Sequence, residues 1–420
     1  MPADAALPPR PTAPPLDPLG AAYVDLAFAI ERHAPGFIDG YFGSPSAREA
    51  AEAAPTAAPA DLLRRAGDLT AAIDAADLPD ARRDFLRRQA VAMAATLRRL
   101  AGEAIPYREE VRLLYDIEAE QTPEAKFEAA IAELDDLLPG RGPVGERMVA
   151  WRDQFTVTPE GARRLIDVIV PELRRRTERI VPLPADEAIE FRFVSDRPWS
   201  GYNWYLGNNR SRVELNTDLP IHATRLTDLL AHEGYPGHHT EHALKERLYL
   251  DHGRGEQSIL LINTPECVVS EGIATLAEEA VFDPGELVDF RSEVVYPAAG
   301  LSGDPAREIA IGRAQRGLKG VDANAALLLH DAGRDDDEVV AYLTRYGLES
   351  EARARHRLRF IRDPLWRAYI FTYHAGHDLL GRWLAAAPDA EARRARFRTL
   401  LTEAVTPTWV RQAAAADPVA

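Results

Sequence analysis

The chain has 420 residues, 46% of them hydrophobic and 28% charged, with a formal net charge of −16. That length can bury a large core in one extended domain or two lobes, and the acidic balance excludes a general nucleic-acid binder, which needs clustered basic side chains to displace counterions from phosphate. Cys267 is the one cysteine, which excludes an internal disulfide and a metal site of several thiolates.

The opening stretch, MPADAALPPRPTAPPLDPLG, has neither the basic start nor the apolar centre of a secretion signal and reads as a flexible proline-rich tail over residues 1–17. Together with the single cysteine and the lack of any run apolar enough to span a bilayer, it predicts a cytoplasmic protein that does not engage a membrane. From 19 to about 180, apolar residues recur at three- and four-residue spacing between Pro and Gly punctuation, which predicts helices. The clearest are 61–73 and 81–100. The second sets Phe85, Ala90, Met93, Leu97 and Leu100 against Arg82, Arg83, Arg87 and Arg88, the pattern of an amphipathic helix with a solvated basic face. Leu138-Pro139-Gly140 and Gly142-Pro143 close this group, so an N-terminal helical lobe is expected over 18–185.

The texture then changes. Segments 188–194, 202–206 and 212–216 are rich in aromatic and branched residues, and Gly207-Asn208-Asn209 between the last two reads as a hairpin turn. Helical periodicity resumes at Ala223 and holds to the C-terminus. The expected fold class is therefore mainly α, with a small antiparallel sheet inset just before a metal-binding helix, in a catalytic lobe over 186–420.

Four of the eleven histidines fall in one stretch, His232-Glu233-Gly234-Tyr235-Pro236-Gly237-His238-His239-Thr240-Glu241-His242. Neutral imidazole is the commonest protein ligand for zinc, and a carboxylate beside the first ligand is where an activated water needs its base. The spacing departs from the HExxH pattern, in which two histidines four apart share a helix face. Six residues turn a regular helix by about 600° and advance it about 9 Å, so a straight helix cannot aim His232 and His238 at one ion. Pro236 offers no N–H to the carbonyl of His232 and Gly237 permits unusual backbone, which predicts a break, wide turn or helix end between 235 and 239. His238 is the first candidate partner of His232, and His239 is its substitute.

The third ligand is expected from Thr264-Pro265-Glu266-Cys267-Val268-Val269-Ser270-Glu271-Gly272, where Thr264 suits an N-cap and Pro265 the first helical turn. Glu271 is the candidate, and Glu278, seven residues on, is a competing ligand or supporting group. Further along, Tyr373-His374-Ala375-Gly376-His377 offers a phenol and two imidazoles. Tyr373 is the candidate donor to a developing oxyanion, and His374, with Tyr202 of the hairpin and His239, is a candidate for holding substrate.

The run His-Glu-x-x-Pro-Gly-His-His followed by Glu-Gly-x-Ala resembles the bacterial domain-of-unknown-function family 885. Its members are regarded as zinc-peptidase-like and distantly similar to the angiotensin-converting enzyme, oligopeptidase and thermostable carboxypeptidase families. Gly36-Phe37-Ile38-Asp39, Leu138-Pro139-Gly140, Trp199-Ser200-Gly201-Tyr202 and Tyr373-His374-Ala375-Gly376 extend the likeness over most of the chain. The resemblance implies a helical metallopeptidase-like fold, a Zn²⁺ site at His232, His238 and Glu271, and Glu233 as general base on a peptide or amide bond. Two other readings use the same residues: a metal-dependent enzyme on a small non-peptide amide, and a non-catalytic binding or scaffold protein in which Pro236-Gly237 keeps His238 off the metal.

Overall fold

A computed structural model describes residues 15–197 and 199–416. Most of the expected tail, 1–14, lies outside these. Its last residues are packed: the Asp17 N–H donates to the Gly253 carbonyl at 3.1 Å, and the Asp17 carboxylate caps helix Pro18–Glu31 through Gly20 and meets Arg82 at 2.5 Å.

The two clearest expected helices form as Pro59–Ala75 and Asp80–Leu100, with Phe85, Ala90, Met93 and Leu97 buried. The solvated basic face is corrected except at Arg87, which stays exposed beside Asp74. Arg82 grips the buried Glu256 through two bonds of 2.7 and 3.0 Å, Arg83 donates to the carbonyls of Ile73 and Ala76 that end the preceding helix, and Arg88 bridges Asp84 and Asp116. A guanidinium's fork satisfies helix-end carbonyls and buried carboxylates that would otherwise lack donors.

Strands Gly201–Gly207 and Arg210–Asn216 make the expected antiparallel hairpin, with Asn208 and Asn209 both at φ 55°, the conformation a two-residue hairpin turn demands. Glu246 accepts from the N–H groups of Asn208 and Asn209 at 3.0 and 3.1 Å. Strand Ala188–Val194 joins parallel to Arg210–Asn216, so the sheet is mixed rather than antiparallel throughout. Two pairings lie outside the sequence expectations: Ile38–Tyr41 runs antiparallel to Ile259–Leu261, and Thr156–Val157 to Ile221–His222. The fold is mainly α with small sheets. Its hydrophobic clusters cross residue 185: one joins Leu165 and Ile169 to Leu230, Ile273 and Leu380, and another joins Tyr23 and Met93 to Ile259 and Leu261.

Candidate metal centre

The first histidine helix, Ala223–Glu233, stops at Gly234, and the second, His238–His252, begins four residues later. The expected break is therefore a complete helix end. Tyr235 precedes a proline, which disfavours helical backbone there, and the Tyr235–Pro236 peptide is cis. The Gly237 N–H returns to the Ala231 carbonyl at 2.9 Å, and a Cβ at this position would lie 1.9 Å from the carbonyl oxygen of His232. The second helix is thus folded back against the last turn of the first. His232 and His238 face each other edge to face, ring centroids 4.9 Å apart.

Glu271 comes from helix Pro265–Val281, which crosses helix Phe371–Ala385 at two glycines. A Cβ on Gly272 would strike the Gly376 carbonyl at 2.9 Å, and one on Gly376 would strike that of Val268 at 2.3 Å. This approach brings Tyr369 to Glu271, whose Oε1 accepts the phenol at 2.9 Å. Ligand atoms of His232, His238 and Glu271 all lie within 4.8 Å of one another. Glu271 Oε2 stands 3.7 Å from His232 Nε2 and, though buried, has no hydrogen-bond partner among the described residues.

Burial penalises the charged forms of His232, Glu271 and Glu233, whereas for His238 the facing carboxylates of Glu271, Glu233 and Glu241 outweigh burial and raise its pKa. Burial holds the His232 imidazolium far below its usual pKa, raises the Glu271 carboxyl, and pushes Glu233 up to about 7. Glu233 stands 4.0 Å from His232 Nε2, and the Asn203 amide donates to its backbone carbonyl at 2.6 Å. A buried carboxylate oxygen facing an imidazole across 3.7 Å is a site short of positive charge. The donor set, two imidazoles and a carboxylate, suits Zn²⁺.

His239 is corrected on both counts. It is fully buried with Nδ1 on Ser211 and Nε2 on Glu187, each at 2.9 Å, so neither nitrogen is left for metal or substrate. Glu278 is committed to Arg291 at 2.7 Å. Tyr202 donates to Asp39, and burial raises the Asp39 carboxyl although Tyr202 and His238 oppose it. Tyr373 is 40% exposed, its ring 5.6 Å from that of Tyr369, and its phenol is pushed up by desolvation and by Glu271 and Glu233. His374 touches Phe371 and makes no hydrogen bond to the cluster; burial pulls its pKa down to about 4. Sequence reasoning missed Asp39, Asn203, Glu241, Ser270 and Tyr369.

No family model and no curated protein matches this chain. Solved structures do. A protein from Colwellia psychrerythraea, provisionally described as a lipoprotein, aligns at TM-score 0.51 and 17% identity over 88% of this chain and 69% of its own. A protein of unknown function from Shewanella oneidensis, also provisionally described as a lipoprotein, aligns at TM-score 0.47 and 13% identity over 84% and 72%. An M32 carboxypeptidase from Deinococcus radiodurans R1 aligns at TM-score 0.39 and 14% identity over 94% and 90%. The cytoplasmic location expected from the sequence is corrected on the first of these: the Colwellia psychrerythraea protein, which shares the fold, is described as a lipoprotein. Among the described residues no helix is long and apolar enough to cross a membrane.

Proposed function

We propose that this chain is a zinc-dependent hydrolase of peptide or amide bonds, and that it belongs with the family 885 proteins whose motif it carries. The observation that carries the reading is Glu271 Oε2, buried, unpartnered among the described residues and 3.7 Å from His232, with His238 closing the triad. His232, His238 and Glu271 would hold the ion, which when bound supplies the Lewis acidity that makes water a nucleophile near neutral pH.

The chain's own residues do the rest. Glu233, lifted to about 7 by burial, sits between acid and base at working pH: it takes a proton from the attacking water and returns it to the leaving amine. Tyr373, kept protonated by its surroundings, donates to the oxygen that gains charge as the carbonyl is attacked. Tyr369 holds Glu271 by Oε1 and leaves Oε2 free, and Asn203 fixes the backbone that carries Glu233.

Metal analysis of the full chain, purified without chelator, should find about one zinc per molecule. A library of peptides and acyl amides, screened with and without chelator, should yield a substrate cleaved only by the metal-loaded protein. Absence of stoichiometric metal would sink the reading.

A further inference from the structure

Behind His238 lies a buried polar chain with no part in the proposed chemistry. Ser270 Oγ is 3.1 Å from His238 Nδ1 and 2.6 Å from Glu241 Oε2, and the Lys245 ammonium donates to Glu241 Oε1 at 2.6 Å. Glu241 is 1% exposed, Lys245 4% and Ser270 9%. A carboxylate sealed against an ammonium is ionised and can only accept.

The direction of the whole chain follows from counting protons. Ser270 has one hydroxyl hydrogen, and Glu241 takes it. Toward His238, then, Ser270 is the acceptor and Nδ1–H the donor, which leaves Nε2 as the nitrogen with a free lone pair.

We propose that Lys245, Glu241 and Ser270 are positioning residues that lock His238 in its Nδ1–H form and thereby set the affinity of the His232–His238–Glu271 centre for metal. The inference rests on the metal reading above. Ligand atoms of His238, Glu241 and His242 also lie within 4.8 Å of one another, and the His238 and His242 rings are stacked 5.8 Å apart. Both oxygens of Glu241 are already occupied, however, and an ammonium abuts one of them, so a dication there would have to displace Lys245. The second group is therefore a brace for the first and not a second ion site.

Two variants separate a brace from a mere filler. Ser270→Ala removes the acceptor of the Nδ1–H and leaves the Lys245–Glu241 pair intact. Glu241→Gln turns its amide oxygen to Lys245 and its NH₂ to Ser270, which reverses the chain, so that Ser270 donates to Nδ1 and favours the Nε2–H form. Co²⁺ is titrated into the metal-free full-length chain against a chromophoric chelator, with the visible Co²⁺ spectrum recorded. Wild type takes one Co²⁺. Ser270→Ala should weaken binding about 10–100-fold and shift the spectrum, Glu241→Gln should weaken it at least as much, and Ser270→Thr, which keeps the hydroxyl, should recover most of the loss. If Glu241→Gln does not fold because Lys245 loses its counter-charge, Ser270→Ala and its threonine rescue carry the test. Wild-type affinity and spectrum in a folded Ser270→Ala chain would overturn this inference alone; a wild-type chain that binds no Co²⁺ would overturn the metal reading and the inference with it.

Discussion

Replacing Gly237 by alanine tests whether the turn between the two histidine helices sets the site. A Cβ there lies 1.9 Å from the carbonyl oxygen of His232 and 2.5 Å from that of Ala231. Carbon and oxygen in comfortable contact stand about 3.3 Å apart, so the chain must open by about 1.4 Å at the backbone of the residue that carries one imidazole. Both obstacles are main-chain atoms, which no rotamer change removes. Metal–ligand distances tolerate only about 0.2 Å, so zinc affinity should fall at least about 10–100-fold, or about 1.4–2.7 kcal/mol. Forcing a methyl into a filled space should also destabilise the metal-free chain by about 1–3 kcal/mol. Chelator competition reads the first quantity, and urea unfolding of the metal-free chains reads the second. A Gly237→Ala chain with wild-type stability and wild-type zinc affinity would show that residues 234–237 yield without moving either histidine, and would refute the reasoning.

Glu233→Gln should keep zinc while lowering turnover about 10²–10⁴-fold, whereas His232→Ala should lose the metal itself; metal content and kcat on one substrate decide between them. The two tyrosines should separate in the same way. Tyr369→Phe leaves Glu271 Oε1 without its donor and should weaken metal binding, while Tyr373→Phe should spare the metal and lower kcat about 10²–10³-fold with KM nearly unchanged. Glu266 gives a pH prediction outside the site: burial raises its carboxyl to about 7 in the folded chain. Because the folded pKa lies above the unfolded value, the stabilisation from its protonated form is fully present below about pH 4.5 and is lost as pH rises through 7, a change of at most about 3 kcal/mol. The stability of Glu266→Gln should therefore vary less than that of the wild type between pH 5 and 8. Urea midpoints at both pH values that move equally in the two chains would rule out Glu266 as a source of that dependence.

What the sequence made legible was local. The helices at Pro59–Ala75 and Asp80–Leu100 follow from apolar spacing, and the hairpin follows from Gly-Asn-Asn. The incompatibility of a six-residue spacing with one straight helix, together with Pro236 and Gly237, was enough to foresee that the chain must break between His232 and His238. What it hid was decided by partners distant in sequence. His239 stands beside His238 and is chemically identical to it, yet Glu187 and Ser211, 52 and 28 residues away, consume both its nitrogens. Tyr369 stands four residues before Tyr373 and carries the same phenol, but nothing in the sequence records the Gly272–Gly376 approach that sets it against Glu271. The basic residues at 82, 83 and 88 look solvated in a helical pattern because the pattern carries no record of Glu256 or of the carbonyls they meet. The parallel placement of Ala188–Val194 is likewise set by register with Arg210–Asn216, which no turn signal specifies.

The pairing of Ile38–Tyr41 with Ile259–Leu261 has a consequence for how the molecule is made. It holds Asp39 against Tyr202, 163 residues further on, while Tyr369 reaches back 98 residues to Glu271 and Thr406 reaches back 322 to Asp84. Contacts of such separation are slow to form, because the loop they close must be ordered before they return anything. During synthesis, when chain emerges at about 5–20 residues per second, Glu271 leaves the ribosome many seconds before the tyrosine that orients it. Arrest of translation after Glu271 has emerged and before residue 369 is added therefore leaves a nascent chain with both histidines and Glu271 present but the carboxylate unheld, and tight metal uptake becomes a timestamp for the end of synthesis rather than its middle.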